Sequence, residues 1–327
     1  MEIIEAFKAG KIGVESSIPN HVITAISNVF VFENKAYKIY KNDNQFFNEH
    51  FNNLSTKEGR FMFTGKDFNW NHELSPEIYV ELRGVRIENN LLVWEEPLGT
   101  SDELVVIMNK IDMADGLLNK LIDERINKED CYKIGYQLGE RLIRVKKNFP
   151  IAIYDDFIAR YKDLDAWLVS VKEIPQDRVR NYLDYIKNFI ESHKEDFDRI
   201  NDQMGICLDV HADNAIYSNG VFLPIDSYAP KEDWLHGYKF ISVYRVATDI
   251  YAFLGKEHFE EVLRGYSNAT NEKLPREWDD FMVIYCELIV WPYQYMLSEK
   301  DTWRLDIAKK YEEFIDKLFS SMNKSIL

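Results

Sequence analysis

The pattern of apolar residues changes character once along this chain, and that change constrains the fold more than any single motif does. Up to about residue 109 the apolar residues fall in short β-rich runs. These are ITAISNVFVF (23–32), KAYKIYK (35–41), EIYVELRGVRI (77–87), LLVWEEPL (91–98) and ELVVIM (103–108). Glu33-Asn34 and Asn89-Asn90 lie where tight turns would join neighbouring runs. One helix is expected among them. Ser55-Thr56-Lys57-Glu58 reads as a capping box, and the segment continues to about His72, ahead of Pro76. Gly59 and Gly65 each lower its propensity by about 1 kcal/mol.

From Ala114 onward, apolar residues recur at helical spacing in GLLNKLIDERI, DCYKIGYQLGERLIRVKK, DDFIARYKDLDAWLVSV and RVRNYLDYIKNFIESHK. The same spacing returns in ISVYRVATDIYAFLG, EHFEEVLRGYSN, EWDDFMVIYCELIVW and DTWRLDIAKKYEEFIDKLF. Trp291-Pro292-Tyr293 is expected to interrupt its helix. The stretch 205–226 breaks the pattern: GICLDV and NGVFLPID read as short strands flanking a polar loop. An α+β chain is predicted, with a small β-rich N-lobe holding one helix (1–109) and a larger helical C-lobe (110–327).

The 327 residues suffice for one large core or two modest ones. No apolar run reaches the roughly 18 residues needed to span a bilayer, and the acidic N-terminus lacks the basic start of a signal peptide. Cys131, Cys207 and Cys286 lie far apart with no CxxC spacing, so neither a disulfide framework nor a zinc site is expected, and a reducing cytoplasm is the natural setting. Net charge is −15, and both predicted lobes are acidic, which excludes a reader of the nucleic-acid backbone.

The chemistry concentrates in CLDVHADNAIYSNGVFLPIDSYAP. Asp209 and Asn214 stand five residues apart on the polar loop, and a hairpin turning at Asn219-Gly220 leads to Asp226. Phosphoryl transfer needs a carboxylate to orient or deprotonate the attacking hydroxyl, hard oxygen ligands for Mg²⁺, and a cation on the phosphate tail. This spacing offers the first two. Taken alone, these residues are equally ordinary turn-formers. A D-x-H pair can also open a two-metal phosphoesterase site, but the further blocks of that chemistry are missing.

DVHADNAIY…FLPID resembles the catalytic segment of the aminoglycoside phosphotransferase-like kinases, HGDxHxxN followed by IDF or FD. ISNVFVF, AYKIYK, LSTKEGR and NHELSPEIY occur in the order of one uncharacterised branch of that family, which often carries a fused P-loop domain. ELVVIMNKIDMADGLLNKLI and VATDIYAFLG continue the resemblance, which spans residues 21–267; no GxxxxGK[ST] follows. The resemblance implies a two-lobed protein-kinase-like fold, ATP and Mg²⁺ as cofactors, and a small-molecule hydroxyl as acceptor. It puts Lys38 on the α/β-phosphates and Asp67 at the place of the helix glutamate that pairs with this lysine. Asp209 takes the place of the catalytic base, Asn214 and Asp226 those of the metal ligands. His211 and Asp249 would brace the loop, and Asp213 is expected as a solvated loop residue or as one that points into the substrate cleft.

Cys207-Leu208 stands where the family has His-Gly, and Ser227 follows Asp226 in place of Phe, Ala or Cys. The altered bracing motivates an alternative reading, a nucleotide-binding regulatory module without transfer activity. No activation-segment-like stretch follows Asp226, which argues against a protein acceptor. Cys207 is expected to be a packed strand residue, since no basic partner activates it.

Overall fold

The computed structural model describes residues 2–325 except 16, 97–98, 146–151, 172–173, 201–203, 229–231 and 300. The last two residues of the LLVWEEPL run lie outside the described residues. The chain divides into two compact units. The first comprises Met1–Met113 and Pro224–Lys231, the second Ala114–Leu223 and Glu232–Leu327.

The first unit is built on a six-stranded antiparallel sheet of order β1-β2-β3-β6-β4-β5. Its strands are β1 (Asn20–Ile23), β2 (Ser27–Val31), β3 (Lys35–Tyr40), β4 (Tyr79–Glu88), β5 (Leu91–Glu95) and β6 (Glu103–Asn109). The run expected as one strand over 23–32 is two, because Thr24 turns the chain. The Thr24 hydroxyl accepts the Ser27 N–H at 2.9 Å, and the Thr24 N–H donates to the Ser27 carbonyl. Asn89 and Asn90 both have positive φ, 49° and 60°, as a tight β4–β5 turn of the primed type requires.

Alternation on β3 separates two environments. Tyr37 and Ile39 join Phe7, Ile12, Phe30, Phe32, Val85 and Val105 in a core covered by the short helix α1 (Ile3–Lys8). Full burial of such side chains contributes about 1.5–3 kcal/mol each. Lys38 and Tyr40 point to the opposite side, where the Tyr40 ring meets Phe63 of the long helix α3 (Lys57–Leu74) edge-on at 4.9 Å. Another short helix, α2 (Gln45–His50), precedes α3. The α3 cap is Thr56, not Ser55: its hydroxyl accepts the Gly59 N–H. Glu58 is thus a first-turn acid rather than the far end of a capping box. Gly59 is required here, since a Cβ would lie 1.9 Å from the Asn53 carbonyl oxygen.

The second unit is mainly helical: α4 (Leu117–Ile122), α5 (Lys128–Arg144), α6 (Ile153–Ser170), α7 (Gln176–Ser192), α8 (Lys194–Arg199), α9 (Ile241–Leu254), α10 (Lys256–Thr270), α11 (Asp279–Ser298) and α12 (Arg304–Ser325). Strand β7 (Met204–Ile206) pairs with β10 (His236–Tyr238), a strand not anticipated from the sequence, and β8 (Ala215–Ser218) pairs with β9 (Val221–Pro224). The β8–β9 turn has φ of 51° at Asn219 and 77° at Gly220. Gln137 of α5 clamps this hairpin by donating to the Gly220 carbonyl at 2.7 Å and accepting the Phe222 N–H at 2.8 Å. Helix α11 runs unbroken through Pro292. The missing N–H removes one backbone bond, but Trp291, Pro292 and Tyr295 are buried, and packing keeps that turn helical. Among the described residues no helix is long and apolar enough to cross a membrane. All three cysteines are buried and unpaired with one another.

Candidate active site

In the first unit, Lys38 comes from an interior strand covered on both faces and is itself buried. Its Nζ donates to Asp226 Oδ1 at 2.8 Å and lies 3.8 Å from Asp67 Oδ2. A buried ammonium without partners would be strongly destabilising. Burial alone would lower its pKa, but the charges of Asp226 and Asp67 outweigh that and raise it. Asp67, from the middle of α3, thus lies within ion-pair range of Lys38 without a hydrogen bond to it.

Asp226 is held in the left-handed region, φ 47°, which costs a non-glycine residue on the order of 1 kcal/mol. Neighbours offset this. The Tyr79 hydroxyl accepts the Asp226 N–H at 2.9 Å and donates to Oδ1 at 3.1 Å. One turn of α3 holds the next residue: Asn71 Oδ1 accepts both the Ser227 N–H and its hydroxyl, at 3.0 and 3.1 Å, while Asn71 Nδ2 donates to Asp67 Oδ1 at 2.9 Å. Ser75 closes the grip by donating to the Pro224 carbonyl at 2.7 Å. Ser227 is thus buried with both donors engaged, and a phenylalanine there would lose the hydroxyl bond and keep only the backbone one.

The two carboxyl groups titrate in opposite directions. Burial pushes Asp67 up, with the charge of Asp226 adding to the rise and Lys38 opposing it. Enclosure also resists ionisation of Asp226, but the Lys38 charge and the bonds from Lys38 and Tyr79 prevail and hold it below the ordinary carboxylate value. Its side chain keeps 53% of its surface exposed, and Oδ2 takes no hydrogen bond among the described residues.

In the second unit, Asp209 to Asn214 form an extended segment ending in one 3₁₀ turn, Ala212–Asn214. Asn214 Nδ2 donates to the Asp209 carbonyl at 3.1 Å, and the Asn214 N–H donates to the His211 carbonyl at 2.9 Å. Asp209 and Asn214 are thus brought together. Three residues of α9 grip the segment from one face. The Ser242 hydroxyl accepts the Leu208 N–H at 2.8 Å, Arg245 Nη1 pairs with Asp209 Oδ1, and Asp249 Oδ2 accepts the Ala212 N–H. The spacing 242, 245 and 249 lines one side of a helix. This stripe braces the segment that follows Cys207. Cys207 is packed as expected: its Sγ donates to the Tyr238 carbonyl, and burial pushes its thiol up to about 11.

Asp249 is fully buried, and Tyr311 donates to its Oδ1 at 2.9 Å. Burial pushes its carboxyl up to about 6, against the lowering influence of His211, Ala212 and Tyr311. His211 is buried and meets the Tyr293 ring edge-on at 5.9 Å. Asp213 is not the solvated residue expected. Its Oδ2 accepts Gln294 Nε2 at 2.6 Å and Arg304 Nη1 at 2.7 Å, so two distant helices fix it.

Arg245, Gln294 and Arg304 are the site residues that the sequence did not single out. The 242/245/249 stripe carried a detectable signal, polar residues at helical spacing in an otherwise apolar helix. Gln294 and Arg304 had none, because their partner lies more than eighty residues away in the chain.

Among the described residues no group of three His, Cys, Asp or Glu side chains gathers as a metal site. Mg²⁺ asks for less, since it takes one or two protein oxygens and completes its octahedron with water and phosphate. Asp226 Oδ2 is open and its carboxyl stays ionised, and Asn214 Oδ1 takes no hydrogen bond among the described residues.

No protein-family model matches the chain, and no curated protein matches it in sequence. Solved structures with a similar fold include the aminoglycoside phosphotransferase APH(3'')-Id of Streptomyces rimosus in complex with ADP and streptomycin. It is 10% identical, covers 88% of this chain and 99% of its own, and has a TM-score of 0.47. The same protein without those ligands named is 12% identical, at the same coverage, with a TM-score of 0.46. A choline/ethanolamine kinase family protein from Mesorhizobium loti is 10% identical, covers 94% of this chain and 88% of its own, and has a TM-score of 0.43. Likenesses this distant do not assign a reaction or a substrate to this chain.

Proposed function

We propose that the chain is an ATP- and Mg²⁺-dependent phosphotransferase acting on a hydroxyl of a small molecule. The observation that carries this reading is the Lys38–Asp226 pair, with Asp226 held at φ 47° and one carboxylate oxygen left open. Backbone strain at a half-exposed carboxylate, held by a buried ammonium and by the Tyr79 hydroxyl, is the signature of a residue kept for its chemistry.

Lys38 would bind the α/β-phosphates, with Asp67 orienting its ammonium. Asp226 and Asn214 would hold Mg²⁺, which when bound neutralises charge on the phosphate oxygens. Asp209 would orient the acceptor hydroxyl and take its proton as the hydroxyl oxygen bonds to the γ-phosphorus and ADP departs with the bridging oxygen. The Asn214 bond to the Asp209 carbonyl ties the base position to the metal position.

Asp209→Asn tests the assignment. It should lower phosphoryl transfer by about 10²–10⁴-fold while ATP affinity in Mg²⁺ stays within about threefold. Undiminished transfer by this variant would contradict the base role. The Arg245–Asp209 pair favours a second reading, a nucleotide-binding regulatory module without transfer, because it occupies one oxygen of the proposed base. Saturable Mg·ATP binding with no γ-phosphoryl transfer to any hydroxyl compound would support that reading.

A further inference from the structure

Beside the proposed base and metal positions lies a polar triad whose charges are balanced internally. Asp213 directly precedes Asn214. Its Oδ2 accepts from Gln294 Nε2 and Arg304 Nη1, and Gln294 Oε1 accepts from Arg304 Nη1 at 2.8 Å. A carboxylate, an amide and a guanidinium thus fix one another in orientation, so little rotamer entropy is left to lose when a ligand arrives. One acceptor stays unused: Asp213 Oδ1 has no hydrogen-bond partner among the described residues, whereas Arg304 Nε, also without one, is enclosed. Aromatic surface flanks it. The Arg304 guanidinium sits 4.6 Å over the Trp303 ring, which is 45% exposed, and Tyr293, against His211, is 39% exposed.

We propose that Asp213 and Arg304, held in orientation by the buried Gln294 and flanked by Trp303 and Tyr293, recognise the acceptor, and that the acceptor is a neutral polyhydroxylated ring, a sugar or cyclitol. This rests on the phosphotransfer reading of the same loop. Planar side chains with two in-plane polar groups match pairs of neighbouring hydroxyls, which both donate and accept. Exposed aromatic faces suit the C–H face of such a ring. A cationic acceptor is disfavoured on charge. The two loop carboxylates that would attract it are already paired, Asp209 with Arg245 and Asp213 with Arg304, and both arginines would repel an ammonium brought alongside.

The test begins without nucleotide. Wild-type protein is titrated with neutral monosaccharides and cyclitols, and separately with amino alcohols and a polyamine aminoglycoside, with binding followed by saturation-transfer NMR and calorimetry. At least one neutral ring should bind saturably, at least tenfold more tightly than any amine-bearing compound. Asp213→Asn and Arg304→Met should each weaken that binding about tenfold or more, and Trp303→Ala should weaken it severalfold. Mg·ATP affinity should not move in any of them, and that binding also reports a folded chain. No saturable binding by any neutral ring, tighter binding of the amines, or unchanged affinity in both folded polar variants would overturn the proposal. Because the sugar titration needs no ATP, a chain that binds the ring but not Mg·ATP refutes phosphotransfer alone, and one that binds Mg·ATP but no neutral ring refutes this inference alone.

Discussion

In the first unit two carboxylates, Asp67 and Asp226, share one ammonium, that of Lys38. In the second, Asp209 and Asp213 each have an arginine of their own. The first cluster carries excess negative charge and leaves one oxygen of Asp226 open, an arrangement suited to a divalent cation and the phosphates it carries. The second is neutral in sum and rich in fixed donors and acceptors, an arrangement suited to hydroxyl groups. Similar residue types thus differ in charge balance and open valence according to how many cations they are given.

Removing the shared cation should show the largest effect. Lys38→Met leaves Asp67 and Asp226 adjacent and unpaired, so unfolding free energy should fall by about 3–5 kcal/mol in denaturant titration. Asp67→Asn in the same chain should restore a sizeable part of that loss. If the double variant is no more stable than the single one, the two carboxylates do not compete for Lys38.

Asp249 gives a contrast in pH dependence. Its carboxyl sits at about 6 in the folded chain against 3.8 as its ordinary value. Between those values the folded chain holds the proton and the unfolded chain does not. The stability it contributes is therefore fully present below the unfolded value and is lost as pH rises through 6. Asp249→Asn does not titrate, so it should gain about 3 kcal/mol on the wild type between pH 4 and pH 7. Parallel stability curves for the two proteins across that range would show that Asp249 is not raised.

The smallest effect belongs to Arg245. Asp209 is 30% exposed and water can replace its partner, so Arg245→Met should destabilise by only about 1 kcal/mol. A loss as large as that in Lys38→Met would erase the distinction between the two clusters.

Legibility in the sequence followed the range of the interaction. The Asn89-Asn90 and Asn219-Gly220 turns were visible because positive φ demands particular residues there. Asp226 was visible at the end of the hairpin that follows Asn214, whereas Lys38 and Asp67 were visible only through the family resemblance, since nothing local in AYKIYK distinguishes a buried strand lysine from a solvated one. The split between β1 and β2 was hidden because a threonine hydroxyl makes that turn without Gly or Pro. The partners of Asp213 were hidden because they come from α11 and α12, and the strand β10 because its three residues, His236–Tyr238, carry no alternation. That Pro224, Asp226 and Ser227 belong with the first unit was hidden for the same reason, as Ser75, Tyr79 and Asn71 hold them from far away in the chain.

Calorimetric titration of ATP with and without Mg²⁺, on wild type and Asp226→Ala, tests the central claim most directly. Saturable binding that weakens at least tenfold when Mg²⁺ is withdrawn, and that Asp226→Ala abolishes while remaining folded, is the predicted result. Absence of ATP binding by the wild type, or equal Mg²⁺-dependent binding by the variant, would contradict it.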